Sequence, residues 1–371
     1  MTRPRAFVAL AVLVALGVTS LVACGGDGSD ERQGAEPGCD QPSGDPTEDA
    51  ATVRLLTHDS FALSDGMLEA FTADTGIDVE VIQGGDAGTM VNQAILTNGN
   101  PQADVLYGID STFLSRALDE GLFVAHEAEG LDEVDDALVL DADHCVTPID
   151  YGDVCLNYDK AYFETHDLPV PTTIEQLTAP EYADLLVVEN PATSSPGLAF
   201  LLATIAELGE DGWTDWWADL RENGVEVADG WEEAYYSSFS GGLGSEGDRP
   251  LVVSYASSPP AEVMYADPPV DDAPTGVIED SCYRQVEFAG ILNGTEHPEE
   301  AGHFVDFLLS DIVQADVPAS MLVFPARDGV ELPPEFVEHA ATPDQVHELP
   351  PEDVHAHREE WIDQWTDVVL R

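Results

Sequence analysis

In 371 residues the chain carries 73 aspartates and glutamates against 12 lysines and arginines, a formal net charge of -61. This surplus repels phosphate backbones and anionic lipid headgroups, which argues against nucleic-acid binding and polybasic membrane docking. With 44% apolar and 8% aromatic residues the chain is too hydrophobic for a disordered polyanion, and its length provides for two or three lobes. The acidity by itself means a heavily hydrated surface suited to salty surroundings, so the ligand must be read from elsewhere.

At the N-terminus, Arg3 and Arg5 precede the apolar run 6–18, the n-region and h-region of a secretory signal. The run is shorter than the ~20 apolar residues of a spanning helix. It ends in Leu21-Val22-Ala23-Cys24-Gly25, which resembles a bacterial lipobox. Residues 1–23 are therefore expected to be a lipoprotein signal peptide, with Cys24 the lipidated residue. Residues 24–51 are rich in Gly, Pro, Asp and Glu without apolar periodicity, and are expected to form a flexible acidic tether in which Cys39 is a dispensable thiol.

From Thr52 the pattern becomes strand, acidic turn, helix, three times over. Strand VRLLT leads through Asp59-Ser60 to helix GMLEAFTADTG with Gly76 as its C-cap; strand IDVEVIQ leads through Asp86 to AGTMVNQAILTNG; strand ADVLYGI leads through Asp110 to STFLSRALDEG. This repetition predicts an α/β fold with a parallel sheet, whose ligands bind beyond the carboxyl ends of the strands. Asp59, Ser60, Asp86 and Asp110 then share one rim, although helix capping alone would account for Asp86 and Asp110.

The segment CVTPIDYGDVCLNYDK reads as two extended runs about a turn at Asp150-Tyr151-Gly152, a crossing point between lobes. In an exported protein this predicts a cross-strand disulfide between Cys145 and Cys155, with Cys282 a competing partner because spacing does not fix connectivity. Beyond it, strand LLVVENP runs into Thr193-Ser194-Ser195-Pro196-Gly197 and a helix, with Ser195 expected at the N-cap and Pro196 at the first helical position. Strand LVVSYASS similarly delivers Tyr255, Ala256, Ser257 and Ser258 to a helix opened by Pro259 and Pro260. Two rims facing one another across a cleft, closing about the crossing strands, make a binding-protein architecture.

Catalytic signatures are missing from the sequence: there is no HExxH, no P-loop and no CxxC, and the glycines at 241–244 do not lie between a strand and a helix. His355 and His357 read as a solvated pair rather than a zinc site. No catalytic residue, metal site or cofactor is expected.

Taken together, THDSF (57–61), QADVLYGID (102–110), PIDYGDVCLNYDK, NPATSSPGLAFLL, DGWEEAYYSSF, LVVSYASSPPAE and the closing PPEDVHAHREEWIDQWTDVVLR resemble the thiamine-binding proteins of bacterial ABC importers. The resemblance spans the folded part and implies a two-lobed, type II periplasmic-binding-protein fold. It implies lobe I at 52–150 and 284–314, and lobe II at 151–283 and 315–371. Asp86, Ala87, Ser194, Ser195, Trp231, Tyr255, Ala256, Ser257 and Ser258 match ligand-contacting positions, with Asp59 and Ser60 beside them. His58, Leu322 and Ala261 stand where the family carries aromatics.

The implied function is capture of thiamine or a thiamine phosphate outside the cytoplasm and delivery to an ABC permease, by a monomer held at the cell membrane through the lipid on Cys24. The cationic thiazolium suits an aromatic face and a carboxylate. A ferric-iron carrier of the same fold, using Tyr235 and Tyr236, is the alternative; a secreted hydrolase using the rim carboxylates, or a purely structural surface protein, comes after it.

Overall fold

The computed structural model describes Cys39 and residues 52–371. The expected signal peptide, Cys24 and all of the tether except Cys39 lie outside the described residues.

The first half repeats one unit three times: β1 (Thr52–Thr57), α1 (Met67–Thr75), β2 (Asp78–Gln83), α2 (Ala87–Leu96), β3 (Val105–Asp110) and α3 (Leu114–Asp119). β1 pairs in parallel with β2 and β3. All six residues of β3 are buried, as a strand of a parallel sheet covered on both faces requires. The short β4 (Phe123–Val124) follows, then β5 (Thr147–Asp159), α4 (Lys160–Thr165), β6 (Leu186–Glu189), α5 (Ser195–Leu208), α6 (Trp213–Glu222) and β7 (Glu226–Ala228). The rest comprises α7 (Trp231–Glu233), β8 (Leu251–Tyr255), α8 (Ser258–Met264), β9 (Thr275–Leu292), α9 (Pro298–Leu308), α10 (Asp311–Ser320), β10 (Phe324–Pro325), α11 (Pro334–His339) and α12 (Pro351–Val369).

The sheet order is β2-β1-β3-β9-β5-β8-β6-β7, with β4 on β9 and β10 on β5. β9 runs antiparallel to both β3 and β5, so the long β5–β9 pair carries β3 on one side and β8 on the other. The two outer groups, β2-β1-β3 and β8-β6-β7, are each parallel inside and each send helices from their carboxyl ends. α5 is apolar all round and buried from Ser195 to Ile205, the pattern of a helix enclosed by its neighbours. α12 lays Trp365 edge-on against Trp217 of α6, with ring centres 5.5 Å apart, while its Arg358 stacks over Phe113 at 5.3 Å.

Four local expectations are corrected here. No turn occurs at Asp150: β5 is one strand of 13 residues. Cys145 lies just before it and Cys155 inside it, so at roughly 3.3 Å per residue they stand near 30 Å apart, far beyond disulfide reach. The bridges are instead Cys155–Cys282, which staples β5 to β9 with Cα atoms 4.2 Å apart, and Cys39–Cys145. Cys39 is thus no dispensable thiol; it ties the segment ahead of β1 to the approach to β5. Finally, Ser194 rather than Ser195 caps α5, its Oγ accepting from the amide of Gly197 at 3.4 Å, which puts Pro196 in the first turn.

Candidate functional site

The helices that follow β2, β6 and β8 all begin at one cavity of about 550 Å³, the size range of small-molecule sites. Of the residues picked from the sequence, Asp59, Ser60, Asp86, Ala87, Ser195, Trp231, Tyr255 and Ser258 line it. Ser194, Ala256 and Ser257 sit behind the wall. Ser194 is consumed by its cap, Ala256 packs with Cys155 and Cys282, and the Ser257 hydroxyl donates to the Leu322 carbonyl at 2.7 Å. Asp110, placed on the rim from sequence, is buried beneath the floor, where its carboxylate accepts from Thr112 Oγ1 at 2.9 Å and Gln285 Nε2 at 2.6 Å.

One wall is an aromatic corner. Trp231 stacks on Tyr235 at 5.0 Å between centres, meets Tyr236 edge-on at 5.4 Å, and is locked in orientation by its Nε1 donating to Ser254 Oγ at 2.9 Å. Tyr255 stands 6.4 Å away, its hydroxyl donating to Gln285 Oε1 at 3.0 Å. His58, Ala261 and Leu322, the departures from the resemblance, line the cavity too. His58 fits because β3 bulges at Gly108, where φ is +96° and a Cβ would lie 2.1 Å from the imidazole.

The opposite character is charge. Asp59, Asp86, Asp229, Glu232, Glu233 and Glu287 all reach the lining, and among the described lining residues there is no lysine or arginine. Glu287 was not legible in the sequence, because it sits mid-strand in β9 without any local motif. Asp229, Glu232 and Glu233 flank Trp231 within a block already singled out, and their acidity was the available signal.

Asp86 joins the two halves. Its Oδ1 accepts from the amides of Ala87 at 2.7 Å and Ser195 at 3.3 Å, and its Oδ2 accepts from Trp231 N at 2.9 Å. Trp231 approaches this closely because Gly230 has no side chain: a Cβ there would lie 2.9 Å from Oδ2. Nearby, Thr89 N donates to the Thr193 carbonyl at 3.1 Å, and Ser60 Oγ to Glu232 Oε1 at 3.5 Å. Burial raises the Asp86 pKa even against these amides.

Under the floor, Asp110, Glu287 and Asp150 stand directly opposite one another on β3, β9 and β5. Like charges so placed repel, and burial adds to the cost of ionisation. Burial pushes Asp110 up to about 6. Burial, then the neighbouring Glu287, pushes Asp150, which accepts from the Tyr107 hydroxyl, well above the carboxylate range. At the end of β6, burial pushes Glu189 well up, and neither of its oxygens has a partner among the described residues. Burial works against protonation of His58, yet Glu287 at 3.7 Å, helped by Asp86 and Asp59, raises its pKa overall.

All four groups hold protons more tightly folded than unfolded. Their contribution is complete below the unfolded values and is lost as pH rises through the folded ones, near 6 for Asp110. Asp104 and Asp306, lowered mainly by Arg54 and His126 against their burial, act oppositely, but only when the pH falls below the ordinary carboxylate range. Melting temperature is therefore expected to rise on acidification from about pH 7.5 to about pH 5.5. Glu189→Gln should raise it at neutral pH and flatten the slope. A melting temperature that falls over this window would contradict the account.

Residues 100–351 match the family model described as bacterial extracellular solute-binding protein. The chain belongs to this family. A relative, the thiamine-binding periplasmic protein of Escherichia coli strain K12, is 30% identical over 323 residues, spanning 86% of this chain and 94% of the relative. A solved periplasmic thiamin binding protein superposes with a TM-score of 0.76 at 28% identity, over 89% of this chain and 99% of that one. Iron-bound HitA from Pseudomonas aeruginosa, at 22% identity and a TM-score of 0.68 over 86% and 99%, shares the fold. This solute-binding protein thus has the type II periplasmic-binding-protein fold and acts outside the cytoplasm. Among the described residues no helix is long and apolar enough to cross a membrane.

Proposed function

We propose that this solute-binding protein captures thiamine in the cavity and passes it, chemically unchanged, to an ABC permease. The observation that carries the reading is the pairing of an oriented Trp231–Tyr235–Tyr236–Tyr255 corner with six lining carboxylates. A flat aminopyrimidine with a permanently cationic thiazolium suits both surfaces. The thiamine-binding relatives support the same assignment.

The remaining parts follow from it. The protein works as a monomer without enzymatic turnover, tethered to the cell membrane through lipid on Cys24. Lobe I comprises 52–150 and 284–314, lobe II 151–283 and 315–371, and they close over the ligand about β5 and β9. The ferric-iron alternative requires phenolate ligands, but Tyr235 donates its hydroxyl to Glu262 Oε1 at 2.8 Å, and burial, reinforced by Glu262, pushes its pKa well above the ordinary value.

Calorimetric titration of the purified protein with thiamine is expected to give one site per chain, with the vitamin recovered at its original mass. Absence of binding, or binding of ferric iron with a visible tyrosinate band, would replace this reading with the alternative.

A further inference from the structure

Resting on the assignment of thiamine, we infer that the ligand cation and a proton on His58 compete for the same carboxylates, Glu287 above all, so that capture of the vitamin expels that proton. His58 is the one basic side chain among the described residues that line the cavity. Its ring is pinned: it lies against the Gly108 bulge, where a Cβ would stand 2.1 Å from Cδ2, and tilts over Tyr107 with ring centres 5.9 Å apart. The Nε2 atom is buried without a hydrogen-bond partner among the described residues, and it lies 3.7 Å from Glu287 Oε2. That separation is too long for a hydrogen bond but suits an ion pair. With a proton on Nε2 the carboxylate is balanced; without one, a lone pair faces an acid.

Every element around this pair adds acids or neutral groups. Behind Glu287 stand Asp110 on β3 and Asp150 on β5, the latter bonded to Tyr107, while Gln285 of β9 accepts from Tyr255 of β8. On the cavity side Asp59 follows His58 directly and Asp86 opens α2. Across the cavity are Asp229, Glu232 and Glu233 with the phenols of Tyr235 and Tyr236, and the lining segment 321–323 has no titratable group. Burial resists protonation of His58, but Glu287, with Asp86 and Asp59, outweighs it. A thiazolium entering the cavity meets the same acids and satisfies them in the proton's place. Two positive charges in one cavity, partly shielded from bulk salt, oppose each other. The imidazolium therefore gives its proton to the solvent, and the site exchanges one positive charge for another. By linkage, thiamine binds more tightly as pH rises through the His58 titration.

The test follows the His58 imidazole by NMR in the purified protein from about pH 5.5 to about pH 8.5, without and with saturating thiamine. Its titration midpoint should move down by about one pH unit or more when thiamine is bound. In parallel, calorimetric titration should show thiamine affinity falling about five- to tenfold between about pH 8 and about pH 6 in the unmodified protein. The fall should be clearly smaller in His58→Gln and His58→Tyr, neither of which takes up a proton at that position. The ligand's own titration is common to all three proteins, so the difference between them isolates His58. A midpoint that stays in place or rises on binding overturns the inference while leaving thiamine capture standing. A pH dependence that both variants keep in full assigns the proton to the floor acids and overturns the role given to His58. If thiamine binds at no pH, the thiamine assignment itself fails, and this inference with it.

Discussion

Replacing Trp231 with alanine is expected to weaken thiamine binding by about 1–3 kcal/mol, through loss of stacking and cation–π attraction. The indole is held ready by its bond to Ser254 and its stack on Tyr235, so the free protein spends little order on presenting it. A spectroscopic signature accompanies the affinity loss. The chain has six tryptophans, and the other five, Trp213, Trp216, Trp217, Trp361 and Trp365, are buried in the core. Thiamine should therefore quench the fluorescence of the unmodified protein and leave Trp231→Ala nearly unaffected. Quenching that persists in the variant, or unchanged affinity, would remove Trp231 from the site.

Loss of the Cys155–Cys282 bridge should be the largest stability effect of a small change. It closes a loop of 127 residues between the two strands that both halves share. Cross-links of that span constrain the unfolded chain, and their removal costs about 2–5 kcal/mol. The Cys155→Ser, Cys282→Ser double variant avoids leaving an odd thiol, and denaturant unfolding should show its midpoint displaced accordingly. Peptide mapping without reduction is expected to recover Cys155 with Cys282 and Cys39 with Cys145. A Cys145–Cys155 peptide would refute the connectivity.

The repeated strand and helix units, the rims at strand ends and most of the cavity wall could be read from the sequence because they rest on local rules. Hydrophobic periodicity marks β1 to β3, acidic and hydroxyl residues mark the helix starts, and Gly76 ends α1 in the left-handed conformation, as expected. The failures share one cause. Whether Asp150-Tyr151-Gly152 turns or continues straight is decided by β9, which pairs along the whole of β5 from far away in the chain. Cysteine pairing inherits that error. Glu287 was missed for the same reason: its place beside His58, Asp110 and Asp150 is a matter of strand register, which no local spacing records. Ser194, Ala256 and Ser257 belong to the right loops, but their side chains are spent in holding those loops.

The distribution of acids separates arrival from residence. Most of the 73 carboxylates contribute to a long-range field that draws cations inward, and ions shorten its reach from about 10 Å at 0.1 M salt to about 3 Å at 1 M. Asp86 and Glu287 act at contact from half-buried and buried positions, where salt screens much less. Rising salinity should therefore slow the encounter with a cationic nutrient while sparing its dwell time, so a cell in brine would retain a firm grip at the expense of a slower catch.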